Sequence, residues 1–252
     1  MTRRMHWEPA RVHIENFTGP ITSAREVGDG LNSEIAVIIN DSYFVKGQRL
    51  DHPWAWTQIR EREINPFVRH VSAELVWHAE ADGWSLLGFE YLPGRKADYR
   101  PGSPDLTLIA EAMTVFPAAP EELELKLAEQ RWSAYSQHAS LFAGDHLSHT
   151  DWSPGNVLIG ADARIVDWAW PTRSADWIDA ACWAVWLIAS GHSPAQADRV
   201  ASSVPAFSKA PRTAVTAFAA AHAAMWAEFG NEAPHPGLAL AAADWHKHIA
   251  SY

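Results

Sequence analysis

One stretch near the middle of the chain constrains the fold most. Residues 149–156 (HTDWSPGN) are rich in polar and turn-forming types, with a proline and a glycine that stiffen a loop. Two short runs of strand-forming residues follow, at 157–159 (VLI) and 164–166 (RIV), with turn-forming residues at 160–162 between them. This order predicts a rigid loop followed directly by a β-hairpin.

Three polar residues in this block have the types and spacing used to transfer phosphoryl groups. Asp151 lies in the loop, Asn156 follows five residues later, and Asp167 comes just after the hairpin. In that chemistry the loop carboxylate accepts the proton of a substrate hydroxyl, while an amide and a second carboxylate hold Mg²⁺ on the nucleotide phosphates. The hairpin is expected to present Asn156 and Asp167 at the same end. We therefore interpret Asp151 as a catalytic base and the other two as metal ligands.

The same loop contains histidines, which raises the alternative of a zinc site formed by His146, His149 and Asp151. The chain has 13 histidines but lacks an H-x-H-x-D-H cluster, an H-E-x-x-H helix and a set of cysteine ligands. The zinc alternative is therefore disfavoured. His149 is expected to brace the loop through hydrogen bonds.

Composition limits the class of protein. With 252 residues, 48% hydrophobic and 20% charged, the chain is expected to be globular with a substantial core. The net charge of -10 argues against a partner such as nucleic acid, which is bound by clustered Lys and Arg. The single cysteine, Cys182, lies in an apolar helical pattern and is expected to be buried. No signal peptide and no membrane partner are expected, and a cytoplasmic location is predicted.

The chain changes character near residue 91. Residues 1–91 are predicted to contain mainly strands, including a hairpin at Asp82-Gly83, with one helix over 54–68 that Pro66 interrupts. Residues 92–252 are predicted to be mostly helical, with helices at about 103–116, 121–142, 174–188, 212–229 and 238–252. An α+β fold with a small N-terminal lobe and a larger C-terminal lobe is expected.

A charged pair is predicted in the N-terminal region. Lys46 ends a strand, where its ammonium is placed to bind nucleotide phosphates, and a helical glutamate is expected to orient it. Glu61 is the first candidate because Ile64 and Val68 then face inward from the same helix; Glu63 is the reserve. The loop over residues 26–33 precedes a strong strand, but its two glycines are a weak signal for phosphate binding.

Asp179 is assigned a supporting role. It follows the metal loop near the start of a predicted helix, where a carboxylate is able to accept backbone N–H bonds. We expect it to hold the catalytic loop in shape.

Taken together, these residues resemble the aminoglycoside phosphotransferase family, which has a protein-kinase-like fold of two lobes. The matching segments are 44–46, the helix around Glu61, 86–94, 149–159, 165–168 and 179–181. The resemblance implies a small antiparallel-sheet N-lobe with one helix, and a larger, mostly helical C-lobe. It also implies ATP or GTP bound at a hinge formed by Glu90, Tyr91 and Leu92, together with Mg²⁺ and transfer of phosphate to a hydroxyl of a small molecule.

The chain departs from protein kinases after the metal ligand. Asp167-Trp168-Ala169 stands where those enzymes have D-F-G, and no A-P-E signature follows, so no protein substrate is expected. The sequence does not decide between two classes of phosphate acceptor. One is an aminoglycoside or other antibiotic, and the other is a metabolite such as an amino-alcohol or sugar. A catalytically silent nucleotide-binding or interaction protein is the alternative from another class. Contact with an amine-rich substrate is one interpretation of four acidic groups, but solvated surface charge is the favoured one for each: Asp176, Glu228, Glu232 and the C-terminal carboxylate of Tyr252.

Overall fold

The computed structural model describes residues 7–27, 33–230 and 237–251, which form two compact units. The first unit runs to Gly94 and also contains Ile165–Ala169; the second contains Arg95–Arg164 and the chain from Trp170 onward. The short segment Ile165–Ala169 thus groups with the sheet-containing unit, although the sequence analysis placed it in the helical region. Its grouping follows from direct contacts, since the N–H of Ile165 donates to the carbonyl of Val71 at 2.8 Å.

The first unit is built on an antiparallel sheet of five strands in the order β1-β2-β3-β5-β4. Its strands are β1 (Ala24–Glu26), β2 (Ile35–Ile39), β3 (Tyr43–Arg49), β4 (Leu75–Ala81) and β5 (Trp84–Glu90), and its helices are α1 (Arg11–Thr18) and α2 (Ala55–Val68). The loop predicted over residues 26–33 includes Gly28–Asn32, which lie outside the described residues.

Turn chemistry explains why β4 and β5 pair. Asp82 and Gly83, between the two strands, both have positive φ (49° and 79°), as the tightest hairpin turns require. The register that follows pairs Ala81 with Trp84. The hairpin predicted from the Asp-Gly pair is confirmed.

Helix α2 buries one side against the sheet. Glu61, Ile64 and Val68 are all buried, as the three- and four-residue spacing predicted. The helix does not stop at Pro66 but continues to Val68. A proline removes only one backbone donor, so a single remaining turn near the helix end is tolerated.

The second unit is mostly helical. Its helices are α3 (Asp105–Met113), α4 (Ala128–Arg131), α5 (Ile178–Ala189), α6 (Pro194–Ala201), α7 (Pro205–Ser208), α8 (Arg212–Phe229) and α9 (Leu238–Ala250). Its short strands are β6 (Arg95–Lys96), β7 (Lys126–Leu127), β8 (His146–Ser148), β9 (Val157–Ile159), β10 (Ala163–Ile165, which ends in the first unit) and β11 (Thr172–Ser174). No helix within residues 7–27, 33–230 and 237–251 is long and apolar enough to span a membrane.

The long helix predicted over 121–142 is wrong. Leu127 is extended and pairs with Arg173 of β11, so only the single turn α4 follows before the chain leaves the helical conformation. Trp132 and Phe142 are nevertheless fully buried, because both rings pack against Phe218 of α8, with centroids 5.0 and 5.3 Å away. The apolar spacing therefore predicted correctly that these residues are buried. They lie in separate short elements, however, and not in one long helix.

A smaller difference concerns Ser174, the first residue of the helix predicted over 174–188. It lies in β11, where its hydroxyl forms a 2.6 Å hydrogen bond with that of Ser148 in the neighbouring strand β8. Helix α5 begins only at Ile178. Apolar residues of the predicted helix, including Ala181 and Val185, are buried in α5.

Candidate functional site

In the first unit, three residues distant in sequence form a buried ionic cluster. The ammonium of Lys46 on β3 donates to Glu61 Oε2 at 2.6 Å and to Asp167 Oδ1 at 2.8 Å. Only 10% of the Lys46 side chain and 6% of the Glu61 side chain remain exposed, whereas Asp167 is 31% exposed. The structure thus brings together three of the residues that the sequence analysis had selected.

The two carboxylates keep the lysine charged. Burial alone would lower the pKa of Lys46, but the charges and hydrogen bonds of Asp167 and Glu61 outweigh it, and the pKa ends above its ordinary value. Burial also raises the pKa of Glu61, an effect that Lys46 opposes and that the negative charge of Asp167 strengthens. Lys46 is therefore a fixed positive charge shared by two acids.

The choice between two glutamates is settled by geometry. Glu61 is the partner of Lys46, while Glu63 pairs with Arg60 at 3.2 Å on the same helix. The second of these pairs is partly exposed, with about a third of each side chain accessible. Glu63 therefore has no part in the buried cluster.

The residues predicted to form a nucleotide hinge lie at the end of β5, with Glu90 as its last residue and Tyr91 and Leu92 directly after it. Glu90 Oε1 accepts a hydrogen bond from the N–H of Glu74 at 3.0 Å, and the N–H of Tyr91 donates to the carbonyl of Ser42 at 2.9 Å. Leu92 packs against a small cluster of buried apolar residues that includes Phe89. These contacts fix the backbone at the end of the strand.

In the second unit, Asp151 and Asn156 are held in one tight loop. Asp151 Oδ1 accepts from the N–H of Ser153 at 3.3 Å, and Asn156 Nδ2 donates to the Asp151 carbonyl at 3.2 Å. The N–H of Asp151 donates to His149 Nδ1 at 3.3 Å, so His149 braces the loop as predicted. Within the described chain Asp151 Oδ2 has no hydrogen-bond partner, so this oxygen is available to accept a proton.

Asp179 supports this loop from helix α5. It lies in the first turn of α5 and is 2% exposed. Its two oxygens accept hydrogen bonds from the backbone N–H groups of His149 (3.0 Å) and Thr150 (2.8 Å), and from the indole N–H of Trp152 (2.8 Å). The predicted role in holding the loop is confirmed.

Thr150, immediately before Asp151, has a left-handed backbone with φ of 67°. This conformation is rare and strained for a β-branched residue. Besides its N–H bond to Asp179, its hydroxyl accepts a hydrogen bond from Arg131 Nη1 at 2.7 Å. These contacts hold the loop in a shape that Thr150 alone would not adopt.

A comparison of two variants measures that strain. Thr150→Ala keeps the Cβ atom in the left-handed region, whereas Thr150→Gly removes it; both lose the hydroxyl. We expect the glycine variant to be more stable than the alanine variant by about 1 kcal/mol, measured by urea unfolding. An alanine variant of equal or higher stability would show that the backbone is unstrained.

Asn156 in the second unit and Asp167 in the first unit each carry oxygen atoms of the kind that suits a hard cation such as Mg²⁺. Asn156 uses its amide nitrogen on the Asp151 carbonyl, and its amide oxygen has no hydrogen-bond partner in the described part of the chain. Asp167 offers carboxylate oxygens at a side chain that is one-third exposed. Neutral and anionic oxygens are the ligands that Mg²⁺ prefers. No group of three or more His, Cys, Asp or Glu able to hold a metal occurs among the described residues.

Two of the acidic residues weighed as amine contacts lie in the described chain. Asp176 is exposed and lines a cavity of about 670 Å³ together with Lys209. Glu228 accepts a hydrogen bond from the hydroxyl of Tyr135 at 2.8 Å. Glu232 and Tyr252 lie outside the described residues.

Sequence reasoning missed two contacts of the loop that carries Asp151. Arg131 contacts Thr150, and the carbonyl of Trp170 accepts a hydrogen bond from the Thr150 hydroxyl at 3.4 Å. Arg131 had no signal because its segment was predicted to be a regular helix. Their link to the loop depends on contacts between residues 19 and 20 positions apart.

Solved structures with the same fold span almost the whole chain. Choline kinase LicA from Streptococcus pneumoniae matches 96% of this chain and 99% of its own, with 12% identity and a TM-score of 0.63. An aminoglycoside phosphotransferase from Alicyclobacillus acidocaldarius matches 94% of this chain and 93% of its own, with 13% identity and a TM-score of 0.60.

A third structure, of a thermostable mutant of aminoglycoside phosphotransferase APH(4)-Ia, was solved as a ternary complex with AMP-PNP and hygromycin B. It matches 95% of this chain and 97% of its own, with 14% identity and a TM-score of 0.56. No protein-family model and no curated protein sequence matches the chain. The expected resemblance is thus confirmed at the level of structure: this chain has the α+β, kinase-like fold shared by aminoglycoside phosphotransferases and choline kinase.

Proposed function

We propose that the chain is a Mg²⁺-dependent phosphotransferase that moves the γ-phosphate of ATP or GTP to a hydroxyl of a small molecule. The observation that carries this proposal is the buried cluster of Lys46, Glu61 and Asp167. A buried lysine held by a helical glutamate is the arrangement that kinases use to bind nucleotide phosphates. The kinase-like fold supports the same conclusion, and one protein of that fold was solved with AMP-PNP and hygromycin B.

Each site residue has a role in this proposal. Lys46 binds the nucleotide phosphates and Glu61 orients it, while Glu90, Tyr91 and Leu92 bind the base. Asn156 and Asp167 hold the metal, which neutralises charge on the phosphates when bound.

Asp151 orients the acceptor hydroxyl and accepts its proton. The proton goes to Oδ2, because Oδ1 is engaged by Ser153. Proton transfer of this kind and correct positioning of the two substrates supply the rate enhancement.

A transfer assay tests the proposal. The purified protein is incubated with ATP or GTP labelled at the γ-phosphate, with and without Mg²⁺, and with aminoglycosides, other hydroxylated antibiotics, amino-alcohols and sugars. We expect Mg²⁺-dependent transfer to a subset of these compounds. Nucleotide binding that is independent of Mg²⁺, with no transfer to any acceptor, would instead identify a catalytically silent kinase relative.

A further inference from the structure

Arg131, the last residue of α4, is tied to the catalytic loop through two hydroxyls. Its Nη1 atom donates to Thr150 Oγ1 at 2.7 Å and to Thr172 Oγ1 at 3.1 Å. Both hydroxyls in turn donate to the carbonyl of Trp170, at 3.4 and 3.0 Å. This closed arrangement uses both hydrogens of Nη1 and fixes the guanidinium beside the residue that precedes Asp151.

The rest of the guanidinium is uncommitted. An arginine carries five N–H donors, so three remain on Nε and Nη2. Across the described chain these atoms have no hydrogen-bond partner, and Arg131 forms no ion pair. Arg95 shows the contrast, since its two terminal nitrogens bind Asp105 at 2.6 and 2.7 Å.

Arg131 remains charged in this setting. Burial lowers its pKa, which nearby charges, including those of Asp151 and Asp179, partly restore. A guanidinium stays protonated even after such a shift. Its side chain is only partly buried, and neither Nε nor Nη2 is among the fully buried, unpartnered polar atoms of the described chain, so the uncommitted donors reach solvent.

A second cation, Lys126, lies with Arg131 at the ring of Trp170. The guanidinium carbon of Arg131 is 5.6 Å from the centroid of the Trp170 ring, and Lys126 Nζ is 4.6 Å from it. Aromatic rings attract organic cations through their faces, but here two cations of the chain already occupy that position. The positive charge of these two side chains beside the Trp170 ring disfavours an acceptor that places an amine there.

Resting on the proposed function, we propose that Arg131 binds the phosphate acceptor and that the acceptor carries an anionic oxygen group near the reacting hydroxyl. The uncommitted N–H donors of Arg131 match the geometry of a carboxylate or a phosphate group. Because Nη1 is held by Thr150, the same side chain positions both the acceptor and the loop that carries Asp151.

Sugars that differ in charge provide the test. Gluconate carries a carboxylate and glucose 6-phosphate a phosphate, while glucose is neutral and glucosamine is cationic. Glycerate, glycerol 3-phosphate, glycerol and 3-amino-1,2-propanediol form a smaller parallel series. We expect at least one anionic member to bind and to be phosphorylated with a KM at least 10-fold below those of its neutral and cationic counterparts.

Two variants show whether Arg131 is responsible. Arg131→Gln should raise the KM for the preferred anionic acceptor about 10- to 100-fold and leave that for its neutral counterpart nearly unchanged. Arg131→Lys should recover part of the loss. Arg199→Gln, on helix α6, is the matched control and should behave as the wild type. An equal rise in the KM of all acceptors in Arg131→Gln would indicate a purely structural residue and overturn the proposal.

Calorimetric titration of the same compounds separates this inference from the proposed function. Saturable binding of an anionic compound that is lost in Arg131→Gln supports the binding role, even if no phosphate is transferred. Preference for an amine-bearing compound, or no binding by any anionic member of either series, would overturn it while leaving phosphotransfer to be judged by the assay above.

Discussion

Replacing Asp151 with asparagine is expected to lower kcat about 100- to 10,000-fold while the protein stays folded. The substitution removes the proposed base but preserves the loop, because an asparagine oxygen can still accept the hydrogen bond from the N–H of Ser153. The affinity for Mg²⁺-nucleotide should change little, since Lys46 and Asp167 are intact. The measurements are steady-state kinetics with the best acceptor, nucleotide binding and the melting temperature.

Asp162→Asn is a suitable control, because Asp162 lies in the hairpin turn after the loop and 67% of its side chain is exposed. It should leave all three quantities unchanged. Turnover near the wild-type level in Asp151→Asn would refute the assigned role of Asp151. A large drop in melting temperature would show instead that the carboxylate is structural.

The site residues that the sequence predicted are those that stand in recognisable local patterns, even where folding brings them together from distant segments. Asp151 and Asn156 are separated by five positions within a loop whose proline and glycine restrict its shape. The prediction of Glu61 as partner of Lys46 used helical periodicity and the placement of Lys46 at the end of a strand, which in the structure continues to Arg49. Patterns of this kind survive folding because neighbouring contacts enforce them.

The part that sequence did not predict depends on distant contacts. The segment after residue 121 has apolar residues at helical spacing, but pairing of Leu127 with β11 breaks the helix before it can extend. Arg131 is therefore presented from a single turn, where its side chain reaches Thr150 and Thr172. Likewise, the left-handed backbone of Thr150 is held by the contacts with Asp179 and Arg131. Threonine does not favour this conformation, so its residue type gives no indication of it.

Replacing Asp179 with alanine is expected to destabilise the protein by about 3–5 kcal/mol. The change leaves three buried donors without a partner: the N–H groups of His149 and Thr150 and the indole of Trp152. Each unsatisfied buried donor costs about 1–3 kcal/mol. Because a folded domain is stable by only about 5–15 kcal/mol in total, the loss is a large fraction of the whole.

Urea unfolding of three variants checks this expectation. Asp179→Asn keeps one acceptor oxygen and should lose less stability than Asp179→Ala. Asp176→Ala is the matched control: it lies three residues earlier, is exposed, and has no hydrogen-bond partner in the described chain, so it should cost less than about 0.5 kcal/mol. If Asp179→Ala proved as mild as this control, the loop would hold its shape without the carboxylate. The strain at Thr150 would then need another source of support, and Arg131 is the remaining residue whose side chain binds it.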